Sequence, residues 1–168
     1  SPLTTKTGDY YSTSLIDIDN NYTLDLVVGY SNNGSHSLYI NDGTGNFLDS
    51  STKQVVTLSS AGFASWGDYN NDCLADVYWT TNQNNSPPFL TNDGARSFSL
   101  TSTATPYSEQ ISSIAGGWVD ISGNGRLDLF VASMNNTAHH LYRNDGNNGF
   151  TKIDTGIFAQ CTGAIYVV

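Results

Sequence analysis

The stretch WVDISGNGRLDLFVAS, Trp118 to Ser133, decides the fold. Two apolar stretches enclose a short loop bearing Asp120, Ser122, Asn124 and Asp128. Oxygen-bearing side chains at alternate positions, followed at once by Leu129-Phe130-Val131, read as a tight polar connection between two strands. The pattern occurs twice more, in LIDIDNNYTLDLVVGY from Leu15 and WGDYNNDCLADVYWTT from Trp66. Asp17, Asp68 and Asp120 fall in register at steps of 51 and 52 residues, and Asp25, Asp76 and Asp128 keep the same steps. So do Asn41-Asp42-Gly43, Asn92-Asp93-Gly94 and Asn144-Asp145-Gly146. Phe47, Phe98 and Phe150 each follow their turn glycine by four residues. Four landmarks on one period define an internal repeat.

Each repeat reads as four short strands. In the second, strands are predicted near Gly62–Gly67, Ala75–Thr80, Phe89–Asn92 and Ser97–Leu100, with the Asn-Asp-Gly turn joining the last two as a hairpin. Leu26-Val27-Val28 and Leu129-Phe130-Val131 are apolar at consecutive positions, which predicts sheets covered on both faces. The expected fold is all-β: three four-stranded β-propeller-type blades with a period of about 51 residues. The repeats run roughly over 10–60, 61–111 and 112–161, and 162–168 resembles the first strand of a further blade. Residues 1–168 are then a partial propeller, belonging to a six- or seven-bladed whole or completed by another protomer.

The chain carries 15 acidic residues against 6 basic ones, a formal net charge of −9. No basic face exists for phosphate, so nucleic acid is not an expected partner, and an anionic membrane surface is disfavoured for the same reason. No apolar run reaches bilayer length, so membrane insertion is not expected. The opening SPLTTKTGDYY lacks the pattern of a secretion signal. All the acidic residues but Glu109 are Asp, a residue suited to tight loops rather than helix interiors.

Eight of the 15 acids lie in the three repeated loops. The first loop offers Asp17, Asp19, Asn21, the Thr23 carbonyl and Asp25. The second offers Asp68, Asn70, Asp72, the Leu74 carbonyl and Asp76; the third offers Asp120, Ser122, Asn124, the Arg126 carbonyl and Asp128. Oxygens at positions 1, 3, 5, 7 and 9 are the spacing by which a tight loop wraps a hard cation. Without Cys or His at these positions, zinc and copper are disfavoured, and the mixed cage of carboxylate, amide and carbonyl suits Ca²⁺ better than Mg²⁺. Up to three calcium ions are expected. Two carboxylates about 5 Å apart repel by roughly 3 kcal/mol at an effective dielectric near 20, so loops with three should splay or bind protons without a cation.

These residues resemble the FG-GAP or VCBS-type repeat of integrin-α-like β-propellers. The resemblance implies that an Asp-x-Asp-x-Asp-Gly-x-x-Asp-like hairpin binds Ca²⁺ between the first two strands of each blade. Gly125 matches the glycine of loop position 6, whereas Tyr22 and Cys73 replace it and require a less favourable backbone there. The resemblance implies extracellular adhesion, recognition or structural roles without choosing among them.

Asn-x-Ser/Thr sequons occur at Asn21, Asn33, Asn84 and Asn135. Asn33, Asn84 and Asn135 recur in the connection between second and third strands and are the expected glycosylation sites; Asn21 should face the metal. Cys73 and Cys161 could form a disulfide in an oxidising compartment. His36, His139 and His140 are expected to be exposed loop residues, and Trp66 and Trp118 to pack between blades. The functional expectation is an extracellular, calcium-binding, non-enzymatic repeat protein with an adhesion, assembly or structural role. Its partners would be other blades or protomers of the same protein, with an extracellular protein or glycan ligand possible. The rivals are a lectin with sites between blades and an accessory domain of a secreted enzyme. Against catalysis stands the symmetry of the acidic residues, which follow the repeat instead of breaking it.

Overall fold

The computed structural model describes residues 10–30, 36–49, 61–81, 87–101, 109–135 and 137–153. They form twelve strands. Blade one comprises β1 (Tyr10–Ile16), β2 (Asp25–Tyr30), β3 (His36–Asn41) and β4 (Phe47–Asp49). Blade two comprises β5 (Ala61–Gly67), β6 (Asp76–Thr81), β7 (Phe89–Gly94) and β8 (Ser97–Leu100). Blade three comprises β9 (Ser113–Val119), β10 (Asp128–Ser133), β11 (His140–Gly146) and β12 (Gly149–Lys152). Each blade is a four-stranded antiparallel meander in chain order. The fold is all-β, as the repeat period and the turn-rich composition require, and the second blade's strands agree with the predicted ones to within two residues. Residues 162–168, read as a further first strand, lie outside the described residues.

The consecutive apolar positions are explained by stacking. Every residue of β6 is buried, because one face meets blade one and the other meets blade three. Ile18, Val27, Leu38 and Ile40 of blade one enclose a core with Val77, Trp79 and Leu90 of blade two. Tyr69, Tyr78 and Phe89 of blade two enclose the next core with Leu129, Val131, Tyr142 and Phe150 of blade three. Trp66 packs against the first core and Trp118 against the second, the interblade packing expected of them. The Trp118 ring stacks on Tyr69 with centroids 6.2 Å apart, and its indole N–H donates to the Ser65 carbonyl.

Two expectations need correction. His36 and His139 are buried, not exposed. They occupy equivalent positions, His36 as the first residue of β3 and His139 just before β11. His36 stacks flat on Trp79 of blade two, centroids 3.9 Å apart, and His139 Nδ1 accepts the Ser133 N–H. A flat imidazole can cover an indole face as an apolar ring would, which overrides its polarity. The hairpins of blades two and three also turn one step later than expected. Asn92-Asp93-Gly94 and Asn144-Asp145-Gly146 end β7 and β11 with a bulge, and the turns are Ala95-Arg96 and Asn147-Asn148. All four turn residues have positive φ, from 49° to 63°. That is the mirror-image turn whose twist matches paired strands.

Candidate metal centres and the blade seams

The three acidic loops share one hydrogen-bonded framework. The first aspartate of each folds the loop onto itself. Asp17 accepts the N–H groups of Asn21 and Tyr22, Asp68 those of Asp72 and Cys73, and Asp120 those of Asn124 and Gly125. The side-chain oxygen at position 5 then accepts the N–H of position 7: Asn21 from Thr23, Asp72 from Leu74, Asn124 from Arg126. The last aspartate is buried and clamps two segments. Asp25 accepts from Ile18 and Asn41, Asp76 from Tyr69 and Asn92, and Asp128 from Ile121 and Asn144.

This winding puts positions 4 and 6 in the left-handed region. Position 6 is Tyr22 (φ 66°), Cys73 (φ 70°) and Gly125 (φ 80°), so two of three loops carry the strain foreseen from the missing glycine. Position 4 is Asn20 (φ 56°), Asn71 (φ 61°) and Gly123 (φ 67°). Asn tolerates that backbone, and here it also reaches the next blade: Asn20 Nδ2 donates to the Cys73 carbonyl and Asn71 Nδ2 to the Gly125 carbonyl.

Whether these residues suit a hard divalent ion can be judged from the first loop. One carboxylate oxygen from each of Asp17, Asp19 and Asp25 lies within 4.8 Å of the others. Asp19 Oδ1 is buried with no hydrogen-bond partner, while its Oδ2 receives the Arg96 guanidinium of blade two at 2.7 Å. An oxygen-only donor set with an unsatisfied anionic oxygen fits a calcium ion. In the second loop Asp72 Oδ2 accepts from Asn70 Nδ2. In the third, Ser122 stands where the first has Asp19 and the second has Asn70.

Burial raises the pKa of two of the clamping aspartates, Asp76 and Asp25. Desolvation pushes Asp76 up to about 7 despite the two N–H groups it accepts. Asp25 is raised for the same reason. Asp120 is held below the usual carboxylate range, chiefly by the Gly125 N–H. A buried carboxylate that retains a proton near neutrality, as Asp76 does, is one that a divalent ion would discharge.

The residues that sequence reasoning missed are the turn asparagines. Asn92 Nδ2 donates to the Ala75 carbonyl of its own blade and to the Ile18 carbonyl of blade one. Asn144 Nδ2 does the same with Leu127 and with Tyr69 of blade two. Their side-chain oxygens accept from Gly94 and Gly146. The recurrence of Asn in all three Asn-Asp-Gly segments was the available signal.

Of the other predicted positions, Asn135 is exposed, and the Thr137 hydroxyl of its sequon donates to the Met134 carbonyl. Asn33 and Asn84 lie outside the described residues. Cys73 is an exposed thiol at a loop tip; its suggested pairing with Cys161 also falls outside them.

Four-stranded meanders stacked face to face with one acidic loop each define a β-propeller repeat protein. The chain belongs to the FG-GAP-like repeat family, which it matches over residues 17–79 and again over 68–131. Among solved structures it is similar to an Agrocybe aegerita lectin, whose structure is described as the basis of specific recognition of non-reducing terminal N-acetylglucosamine. The TM-score is 0.59 at 17% identity, covering 86% of this chain and 38% of that chain. At that identity the likeness concerns the fold. No curated protein sequence matches the chain.

Proposed function

We propose that this chain is a calcium-stabilised, non-enzymatic propeller segment that works outside the cell in adhesion, assembly or structure. The observation that carries the reading is the clustering of carboxylate oxygens of Asp17, Asp19 and Asp25 within 4.8 Å of one another, in a framework that all three loops share. Calcium would supply charge neutralisation and fixed geometry. Asp17, Asp19, Asn21, the Thr23 carbonyl and Asp25 would hold it in the first loop, and their counterparts in the other two. Apart from Asp19, which pairs with Arg96, the acidic residues of the loops hold backbone N–H groups, which favours a structural role over catalysis. Glycans on Asn33, Asn84 and Asn135 belong to the same extracellular reading. The test is thermal unfolding with calcium and with EGTA: calcium should raise the midpoint, and Asp17→Ala should abolish part of the gain. An unchanged midpoint sinks the proposal.

Glycan recognition is the second reading. An open cavity of about 650 Å³ at blade three favours it, with Glu109, Gln110, Ile111, Asn135, His140 and Lys152 among the residues in its wall. Trp66 and Trp118 are engaged in the seams and offer no stacking platform there. A glycan array separates the two readings, since the structural role predicts no sugar-specific signal.

A further inference from the structure

The first and second loops carry the same acids in different surroundings. Each holds three carboxylates, Asp17, Asp19 and Asp25 in one and Asp68, Asp72 and Asp76 in the other. Among the described residues no ion pair reaches the second set. One reaches the first, and it comes from another blade. Arg96 sits in the turn between β7 and β8, and its guanidinium meets Asp19 Oδ2 with Nε at 2.8 Å and with Nη2 at 2.7 Å. Two N–H groups of a planar fork on one carboxylate oxygen make a charge-assisted contact of the strong kind.

The repeat supplies its own comparison. Asp19 is position 3 of its loop, where the second loop has Asn70 and the third Ser122. The counterpart of Arg96 in blade three is Asn148, which meets the second loop by accepting the Tyr69 hydroxyl. Where position 3 is an acid, the following blade presents a cation; where it is an amide, the following blade presents an amide. The guanidinium therefore answers the charge of Asp19 and is no general requirement of the seam.

Its placement also bears on the ion. Asp19 keeps only 12% of its side chain exposed and Arg96 38%, so water screens the pair incompletely. Arg96 shares an open cavity of about 350 Å³ with Asn21 and Thr23, two residues assigned to hold the ion in the first loop. A positive charge at that wall opposes the entry of a divalent cation and already occupies one oxygen of a ligand.

We infer that Arg96 is the built-in counter-cation of the first loop: it discharges Asp19 while the loop is empty and competes with calcium for that carboxylate. Loading the first loop then exchanges an internal cation for an external one, whereas the second loop starts from bare acids. The same exchange weakens a tie between blades one and two, so calcium uptake at this loop and the strength of that seam are linked. The inference rests on the calcium reading and assigns to it a residue that lowers the affinity of one site.

The experiment is isothermal titration of calcium into the chelator-stripped 168-residue chain, with Asp17→Ala run alongside to identify the first-loop step as the one it loses. In Arg96→Gln that step should tighten about tenfold and the other steps should stay where they are. Arg96→Lys, which keeps the charge, should remain within about twofold of the wild type. Arg, Gln and Lys share the same backbone demand at this turn, where φ is 63°, so the variants differ in charge and not in strain. The advantage of Arg96→Gln should shrink at high potassium chloride, as a charge effect does and a packing effect does not. Its melting midpoint should fall in EGTA and recover with calcium. First-loop affinity that is unchanged or weaker in Arg96→Gln overturns the inference, as does a midpoint lowered equally with and without calcium. A wild type that takes up no calcium overturns the calcium reading first and this inference with it, and that failure is told apart by the absence of any step for Asp17→Ala to lose.

Discussion

Asn92 in the second blade donates its side-chain amide to the main-chain carbonyl of Ile18 in the first, at 2.9 Å. One blade later Asn144 repeats the contact to Tyr69 at 2.7 Å. A residue that looks like a turn-former therefore ties its own loop to the preceding blade. Asn92→Ala removes three hydrogen bonds and leaves a buried carbonyl unpaired, which should cost about 3 kcal/mol. Urea unfolding checks it. The control is Asp93→Ala at the exposed neighbouring position, which should cost under about 1 kcal/mol.

Gly67 and Trp118 test the internal seam. Gly67→Ala places a methyl group against the indole and should cost about 1–3 kcal/mol, as overpacking does. Trp118→Ala should cost about 3–5 kcal/mol through the cavity it leaves. In the double variant the added methyl should be nearly neutral, because its nearest clash partner is gone and the remaining neighbour, the Leu127 Cδ1 at 3.0 Å, is the end of a flexible side chain with the Trp118 cavity to move into. Additive losses in a double-mutant cycle would contradict the direct contact.

Cys73 holds a positive φ that glycine adopts freely. Cys73→Gly should relieve roughly 1 kcal/mol of strain, partly offset by the greater freedom of glycine in the unfolded chain. Calcium affinity at that loop should rise, because the wound conformation costs less. Isothermal titration measures it, and weaker binding by the glycine variant would be inconsistent with this account.

Acid should destabilise the protein through His36, whose pKa is lowered to about 4 by burial. The unfolded chain binds a proton near 6.5 and the folded chain only near 4, so stability falls as pH drops through that window. Asp76 works in the opposite sense. Its folded pKa of about 7 exceeds the unfolded value, so the calcium-free protein keeps a proton that the unfolded chain has released, and stability falls as pH rises from about 4 to 7. Calcium should displace that proton. The gain in melting temperature on adding calcium should therefore be larger near pH 7.5 than near pH 5; an equal gain at both would argue against Asp76 as a ligand.

The repeat made the blades and loops legible, because strands, turns and the acidic spacing are local patterns that recur. The seams were not, since they join residues far apart in sequence, as Asp19 and Arg96 are at 77 positions. Nothing near Asn144 in sequence announces the Tyr69 carbonyl. His36 was misread because its cover, Trp79, lies in the next blade. Position 6 of the loops was legible from Tyr22 and Cys73, whereas the equal demand at Asn20 and Asn71 was hidden, since asparagine there also reads as a polar loop residue.

The central claim is that the three aspartate loops hold hard divalent ions, and native mass spectrometry of chelator-stripped protein titrated with calcium tests it most directly. The account predicts discrete bound ions, up to three per chain, with one fewer in Asp17→Ala. A spectrum that shows only non-stoichiometric adducts, unchanged by that substitution, would contradict it.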